Sequence, residues 1–181
     1  DGIFVTMPAK IAHISYHLPE KKFSNNDFFE IFPESKENTN LEKIGIKSRQ
    51  IVEHELASDL AIEAAKKLFK EHNVSPESID FVIFCAQEFD YYTPTTACVI
   101  QNKLGIPTSA GAIDYNLGCS GFVYGLSIAK GFIEAVGLKN VLLLTSSTLT
   151  KTFHEGDKSS RYIFGDGAAA TLITNDSKKG I

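Results

Sequence analysis

The chain has 181 residues, 43% hydrophobic and 22% charged, with 10% aromatic residues and a formal net charge of −4. That content is enough for the packed core of one domain and excludes a disordered chain. A mildly acidic sequence with no run of Lys and Arg also excludes nucleic acid as the main partner, because phosphate binding needs clustered cations.

Residues 1–6 precede the sole methionine, Met7, and read as upstream or added sequence without the basic and apolar segments of a secretory leader. A first short apolar run spans 10–16, and the most polar stretch, 35–40, reads as a surface loop. In 55–72 the residues Leu56, Leu60, Ala64 and Leu68 share one helical face. Asn73 to Pro76 and Ser78 to Asp80 turn the chain into a second strand at 81–85. Pro94 can open a helix that runs toward Leu104, where Gly105 and Pro107 stop it. A strand follows at 111–115. The segment 120–137 then carries Phe122, Leu126, Ala129, Ile133 and Val136 at helical spacing, and further strands follow at 141–145 and 168–173. Strands alternating with helices predict an α/β fold, with a mixed, mostly parallel five-stranded sheet and helices on both faces.

The longest apolar candidate, 121–136, is interrupted by Lys130 and Glu134 and falls short of the roughly 18 residues a membrane helix needs. A soluble, cytoplasmic protein without a membrane partner is expected. Three cysteines without a CxxC pair fit neither a disulfide framework nor a zinc site. No G-x-G-x-x-G supports a dinucleotide fold. Asp157 and Asp166 offer too few carboxylates for a metal.

Cys85 and Cys98 read as small core residues. Cys119 has another context, Asp114-Tyr115-Asn116-Leu117-Gly118-Cys119-Ser120-Gly121-Phe122. Here a strand ends, a glycine allows a sharp turn and a helix begins. A thiol at the positive end of a helix dipole is favoured as thiolate, and flanking glycines admit substrate and backbone closely. Both a nucleophile and a packing residue fit that placement. Of the histidines, His72 reads as solvated beside Glu71, and His13 and His17 as structural hydrogen-bonding groups. His154, in a polar loop, is the best partner for a thiol, although the sequence assigns no Cys–His pair. Gly165-Asp166-Gly167 reads as a tight turn in which Asp166 caps backbone N–H groups.

Four ordered landmarks carry a resemblance: Gly45-Ile46 with Arg49; Thr93-Pro94-Thr95-Thr96-Ala97-Cys98 with Gln101 and Leu104-Gly105; Gly118-Cys119-Ser120-Gly121-Phe122; and Phe164-Gly165-Asp166-Gly167-Ala168. On these the chain resembles the N-terminal half of β-ketoacyl-acyl carrier protein synthase III, a condensing enzyme of the thiolase fold. The resemblance implies that residues 1–181 form an N-terminal thiolase-like lobe, with the C-terminal lobe beyond this chain. It implies that Cys119 takes an acyl group from a coenzyme A thioester, and that malonyl-acyl carrier protein then loses CO₂ and attacks. No cofactor is implied beyond these substrates. The histidine and asparagine that drive decarboxylation are implied for the second half, so condensation is not expected of this part alone. A homodimer is implied, with 94–104 and 111–115 as contact elements. The Gly165–Ala168 turn is implied to lie near the base of the active site.

Three positions depart from the family pattern. Thr39 stands near the place of a tryptophan that stacks on adenine. Lys158 stands for an arginine that partners the adenine, keeping the charge without the planar group; a carrier-protein donor is therefore an alternative to coenzyme A. Thr93, where a bulky aromatic is frequent, predicts room for a longer or branched acyl chain. Same-fold enzymes that transfer the acyl group to oxygen or nitrogen, or make specialised lipids, and a non-catalytic dimerisation module remain alternatives.

Overall fold

The computed structural model describes residues 7–36 and 41–175, without the side chains of 41 and 42. Thr39, most of the stretch 35–40 and both chain ends lie outside the described residues. In chain order the elements are β1 (Ala9–His17), β2 (Lys22–Ser24), α1 (Asn25–Ile31), α2 (Leu41–Ile44), β3 (Ser48–Gln50), α3 (Ala57–His72) and β4 (Phe81–Cys85). There follow α4 (Thr96–Lys103), β5 (Gly111–Tyr115), α5 (Gly121–Gly131), β6 (Asn140–Ser147), α6 (Lys158–Arg161) and β7 (Gly167–Asn175).

Five strands form one sheet in the order β1-β7-β6-β4-β5. β4 pairs in parallel with β5 and β6, whereas β7 is antiparallel to β6 and β1. Four strands thus run one way and β7 runs against them, the mixed, mostly parallel arrangement expected. The path from β6 to β7 holds only a 3-10 turn at Leu149–Thr152 and the four-residue α6, and an antiparallel return needs no helical crossover.

Both faces of the central strands β4 and β6 are covered, so their residues are apolar on both sides rather than alternating with polar ones. Val82, Phe84, Leu142 and Leu144 point into one buried cluster with α3 and α4, while Ile83, Val141 and Leu143 point into a second with α5. α3 approaches its face through Ala57, Ala61, Ala64 and Ala65, all fully buried. Leu56, expected on that face, instead precedes the helix and is 38% exposed. Asn73 ends α3 in the left-handed conformation.

Two helices begin or end otherwise than the sequence predicts. α4 starts at Thr96, not at Pro94, whose peptide bond to Thr93 is cis. α5 gives way at Phe132 to a wider π-type turn through Val136. That turn carries Val136 off the buried face, to 65% exposure, while Ala129 and Ile133 stay inside. Gly105 and Gly137, at φ of +70° and +86°, end these two helical segments as αL residues.

Carboxylates tie the helices and loops to the sheet. Asp114, near the end of β5, accepts the N–H groups of Thr96 and Ala97 at 2.6 Å each and so caps α4. Burial pushes its carboxyl up, opposed by those two N–H groups. Asp90 accepts Ala57 and Ser58 N–H at 3.2 and 3.0 Å, capping α3.

The sequence does not announce the ribbon β2–β3, antiparallel strands of three residues each with polar composition. Arg49, only 5% exposed, anchors it by donating to Asn25 Oδ1 and Tyr162 O at 2.7 Å each. Asp166 adds a second anchor. Its carboxylate accepts Val52 N–H at 2.9 Å, Thr150 N–H at 3.1 Å and the Thr150 hydroxyl, and its own N–H donates to Gln50 O at 2.8 Å. It therefore caps two distant segments rather than its own turn. Asp166→Ala would strand these donors at a buried site and should cost about 3 kcal/mol in a urea unfolding curve. Asp166→Asn, which keeps one acceptor, should lose less.

Candidate active site

Parallel strands in an α/β sheet leave their carboxyl ends open to ligands, because the helices that follow start there with unpaired N–H groups. In this chain Cys85 ends β4 opposite Thr145 of β6 and Tyr115 of β5. A cleft of about 580 Å³ opens at these ends, with Cys85, Cys119, Phe122, Thr145, Phe164 and Gly165 among its walls. Tyr16 and Phe164, at 59% and 43% exposure, stand at its open side.

Cys119 is exposed in this cleft, one residue before Ser120, which precedes α5. The turn closes with Gly121 N–H donating to Gly118 O at 2.8 Å, and Ser120 O accepts Tyr124 N–H at 3.1 Å. Neither Gly118 nor Gly121 has positive φ, so the sharp turn does not require glycine for its backbone. Space requires it at 121, where a Cβ would lie 2.4 Å from Cys85 Sγ. The same holds at 125, where a Cβ would lie 2.5 Å from the Tyr115 oxygen and 2.6 Å from Leu143 Cδ1. At 118 a Cβ would rest 3.4 Å from the Gln87 amide, in ordinary contact.

Cys85 Sγ donates to Leu117 O at 3.4 Å, and the Tyr115 hydroxyl donates to Gly121 O at 2.5 Å. The Tyr115 phenol is pushed well above its ordinary range, first by burial and then by Cys85 beside it. Ser146 Oγ is buried on the same wall without a hydrogen-bond partner among the described residues. The arrangement offers a reachable thiol, backbone N–H groups at the start of a helix and a largely apolar enclosure. That is what attack on a thioester needs.

A sequence profile for 3-oxoacyl-[acyl-carrier-protein (ACP)] synthase III matches residues 113–181. A curated β-ketoacyl-[acyl-carrier-protein] synthase III from Caldanaerobacter subterraneus subsp. tengcongensis is 39% identical, over 87% of this chain and 47% of that one. The Xylella fastidiosa protein of the same name is 38% identical, over 96% and 53%. A crystal structure of 3-oxoacyl-(acyl-carrier-protein) synthase III superposes with a TM-score of 0.91 at 48% identity, covering 95% of this chain and 51% of that chain. All three comparisons agree on 3-oxoacyl-[acyl-carrier-protein] synthase III as what this chain is similar to. The chain spans about half the length of the relatives it matches, and its fold is the thiolase-like one of the synthases.

Within this synthase fold the sequence-predicted residues separate. The Gly165–Gly167 turn joins Cys119 at the cleft through Gly165 and Gly167. Lys158 does not line the cleft. It opens α6, its Nζ pairs with Glu34, and it lies 5.7 Å from the centre of the Phe32 ring. The Glu34 carboxyl is held below its usual range chiefly by that lysine. Thr93 is exposed and also outside the cleft.

Cys98 is exposed rather than in the core: on α4 it is Ala97 that turns inward, while the Cys98 sulfur lies 3.0 Å from the Thr95 hydroxyl. None of the five histidines lines the cleft. His154 is exposed, accepting Gly156 N–H at 3.1 Å, and His72 is exposed as expected, stacking on His13 with ring centres 3.9 Å apart. Among the described residues no group of three His, Cys, Asp or Glu is placed to hold a metal, and no helix is long and apolar enough to cross a membrane.

The residues missed in the sequence are Cys85 as a wall of the cleft and Tyr115 as its support. Their signal was present, since both are the last residues of predicted parallel strands. A steric test follows from the spacing at 121. Gly121→Ala should destabilise the protein by about 2 kcal/mol. The clash is with Sγ, while the Cys85 Cβ would lie 3.9 Å away. Adding Cys85→Ala should therefore recover at least half of the loss in urea midpoints, and equal losses in both backgrounds would place the clash elsewhere.

Proposed function

We propose that this chain supplies the nucleophile-bearing part of a 3-oxoacyl-[acyl-carrier-protein] synthase III-like acyltransferase, with Cys119 as the acylated residue. The observation that carries the reading is the exposed Cys119 thiol at the mouth of α5, inside the cleft that ends the parallel strands. The Cys119 thiolate attacks the thioester carbonyl carbon; a new S–C bond forms, the donor's S–C bond breaks, and the donor thiolate leaves. Charge gathers on the carbonyl oxygen during this step, and the Cys119 N–H is the donor proposed to meet it.

In the second step a malonyl group on acyl carrier protein loses CO₂. The electron pair left on its α-carbon attacks the acyl carbon, a C–C bond forms, and the Cys119–acyl bond breaks to return the thiolate. The decarboxylating histidine and asparagine belong, in this reading, to the other half of the synthase. Lys158 is proposed as a contact for the donor's nucleotide end. Its pairing with Glu34 favours a donor that does not depend on that contact, so a carrier-protein thioester stands beside coenzyme A. The edge position of β5 supports a homodimer through that strand.

Intact-mass and peptide analysis after mixing with acyl thioesters tests the assignment. An adduct should form on wild type, persist at the end point in Cys85→Ala and Cys98→Ala, and vanish in Cys119→Ala. Supplying the same acyl group on coenzyme A and on acyl carrier protein ranks the donors. No adduct from any donor would leave only a non-catalytic module.

A further inference from the structure

Two backbone carbonyls flank Cys119, one before it and one after it, and a side chain of the sheet holds each from behind. Leu117 O accepts from Cys85 Sγ at 3.4 Å, and Gly121 O accepts from the Tyr115 hydroxyl at 2.5 Å. Cys85 and Tyr115 are register partners at the ends of β4 and β5, so the two anchors sit on one rigid base. Tyr115 reaches its carbonyl only because residue 125 is glycine, as a Cβ there would stand 2.5 Å from the phenolic oxygen.

In a trans peptide the C=O and the next N–H point opposite ways. Fixing the Leu117 and Gly121 carbonyls toward the sheet therefore turns the Gly118 and Phe122 N–H groups away from it. Gly118, Cys119 and Phe122 all line the cleft. The anchors hold the negative ends of two peptide dipoles behind the thiol and leave the positive ends in front.

We propose that Tyr115 and Cys85 are positioning residues that hold the Gly118–Gly121 turn in the one arrangement that presents Cys119 and its neighbouring N–H groups to an acyl donor. This rests on Cys119 being the nucleophile. Neither anchor touches the reacting atoms, so removing one changes how fast bound donor reacts and not how much is needed to saturate.

The test compares Tyr115→Phe, Cys85→Ala and Cys85→Ser with wild type in the intact protein. Two rates are followed on the Cys119 peptide: alkylation by iodoacetamide at fixed pH, and acylation by an acyl thioester over a range of concentrations. Tyr115→Phe and Cys85→Ala should each lower the maximal acylation rate by about 10-fold, within the range that small misplacements of reacting groups produce. The half-saturating donor concentration should stay within about twofold, as expected when ground-state binding is unchanged. Cys85→Ser, which keeps a donor for Leu117 O, should regain most of the rate.

A wild-type acylation rate in folded Tyr115→Phe overturns the proposal. So does a loss seen only as a higher half-saturating concentration, or a loss equal in Cys85→Ser and Cys85→Ala. Circular dichroism and melting curves set a temperature at which all variants are equally folded. If wild type is alkylated at Cys119 but takes no acyl group, the functional reading fails by itself. The alkylation rates then decide the positioning role: slowing in Tyr115→Phe supports it and no slowing overturns it.

Discussion

The distance between α5 and the sheet governs the rest of this molecule. Two glycines one helical turn apart, Gly121 and Gly125, let the helix settle where Cys85, Tyr115 and Leu143 leave no room for a Cβ. Close packing of this kind is unforgiving, because a dense interior does not yield by fractions of an ångström without moving its neighbours. The start of α5, and with it the turn carrying Cys119, is therefore located by contact with the ends of β4 and β5. A loop of the same sequence on a looser helix would place the thiol with less definition.

The alternation of side chains along a strand lets one short element do two jobs at once. On β5, Asp114 points to one face and caps α4, while Tyr115 points to the other and holds α5. Both polar groups are pulled partly out of water, and both are shifted against ionisation by that burial. The strand end thus spends its polar side chains on fixing helix termini, and the neighbouring strands supply apolar bulk. α4 is joined to this strand end by a carboxylate cap, and α3 is capped by Asp90 from the loop after β4, rather than through side-chain packing alone.

Much of this was legible in the sequence. The five sheet strands and three long helical segments were marked by short apolar runs, helical spacing and the stop at Gly105 and Pro107. The setting of Cys119, a strand end followed by glycines and a helix, was legible for the same reason. The errors have physical causes. Leu56 and Val136 continue an apolar spacing past the point where the helix itself changes, and a spacing rule does not register an altered turn. Cys85 is core as read, 4% exposed, but its contact with Leu117 O depends on the distant glycine at 121 and has no mark in the sequence around it. For Tyr115 the strand-end position was legible but its partner was not, since that partner is created by the packing of α5. The β2–β3 ribbon was missed because three-residue polar strands have no periodicity to read.

The ribbon's attachment has a consequence for the cleft. Asp166 sits between Gly165 and Gly167, both in the cleft wall, yet its carboxylate is spent on Val52 and Thr150. The wall is thereby splinted from outside, by Gln50 O of β3, by Val52 just beyond that strand and by Thr150 in the turn after β6, none of which lines the cavity. Its stiffness is a property of the segments that follow β3 and β6 as much as of the wall itself, and it can be retuned from residues outside the cleft.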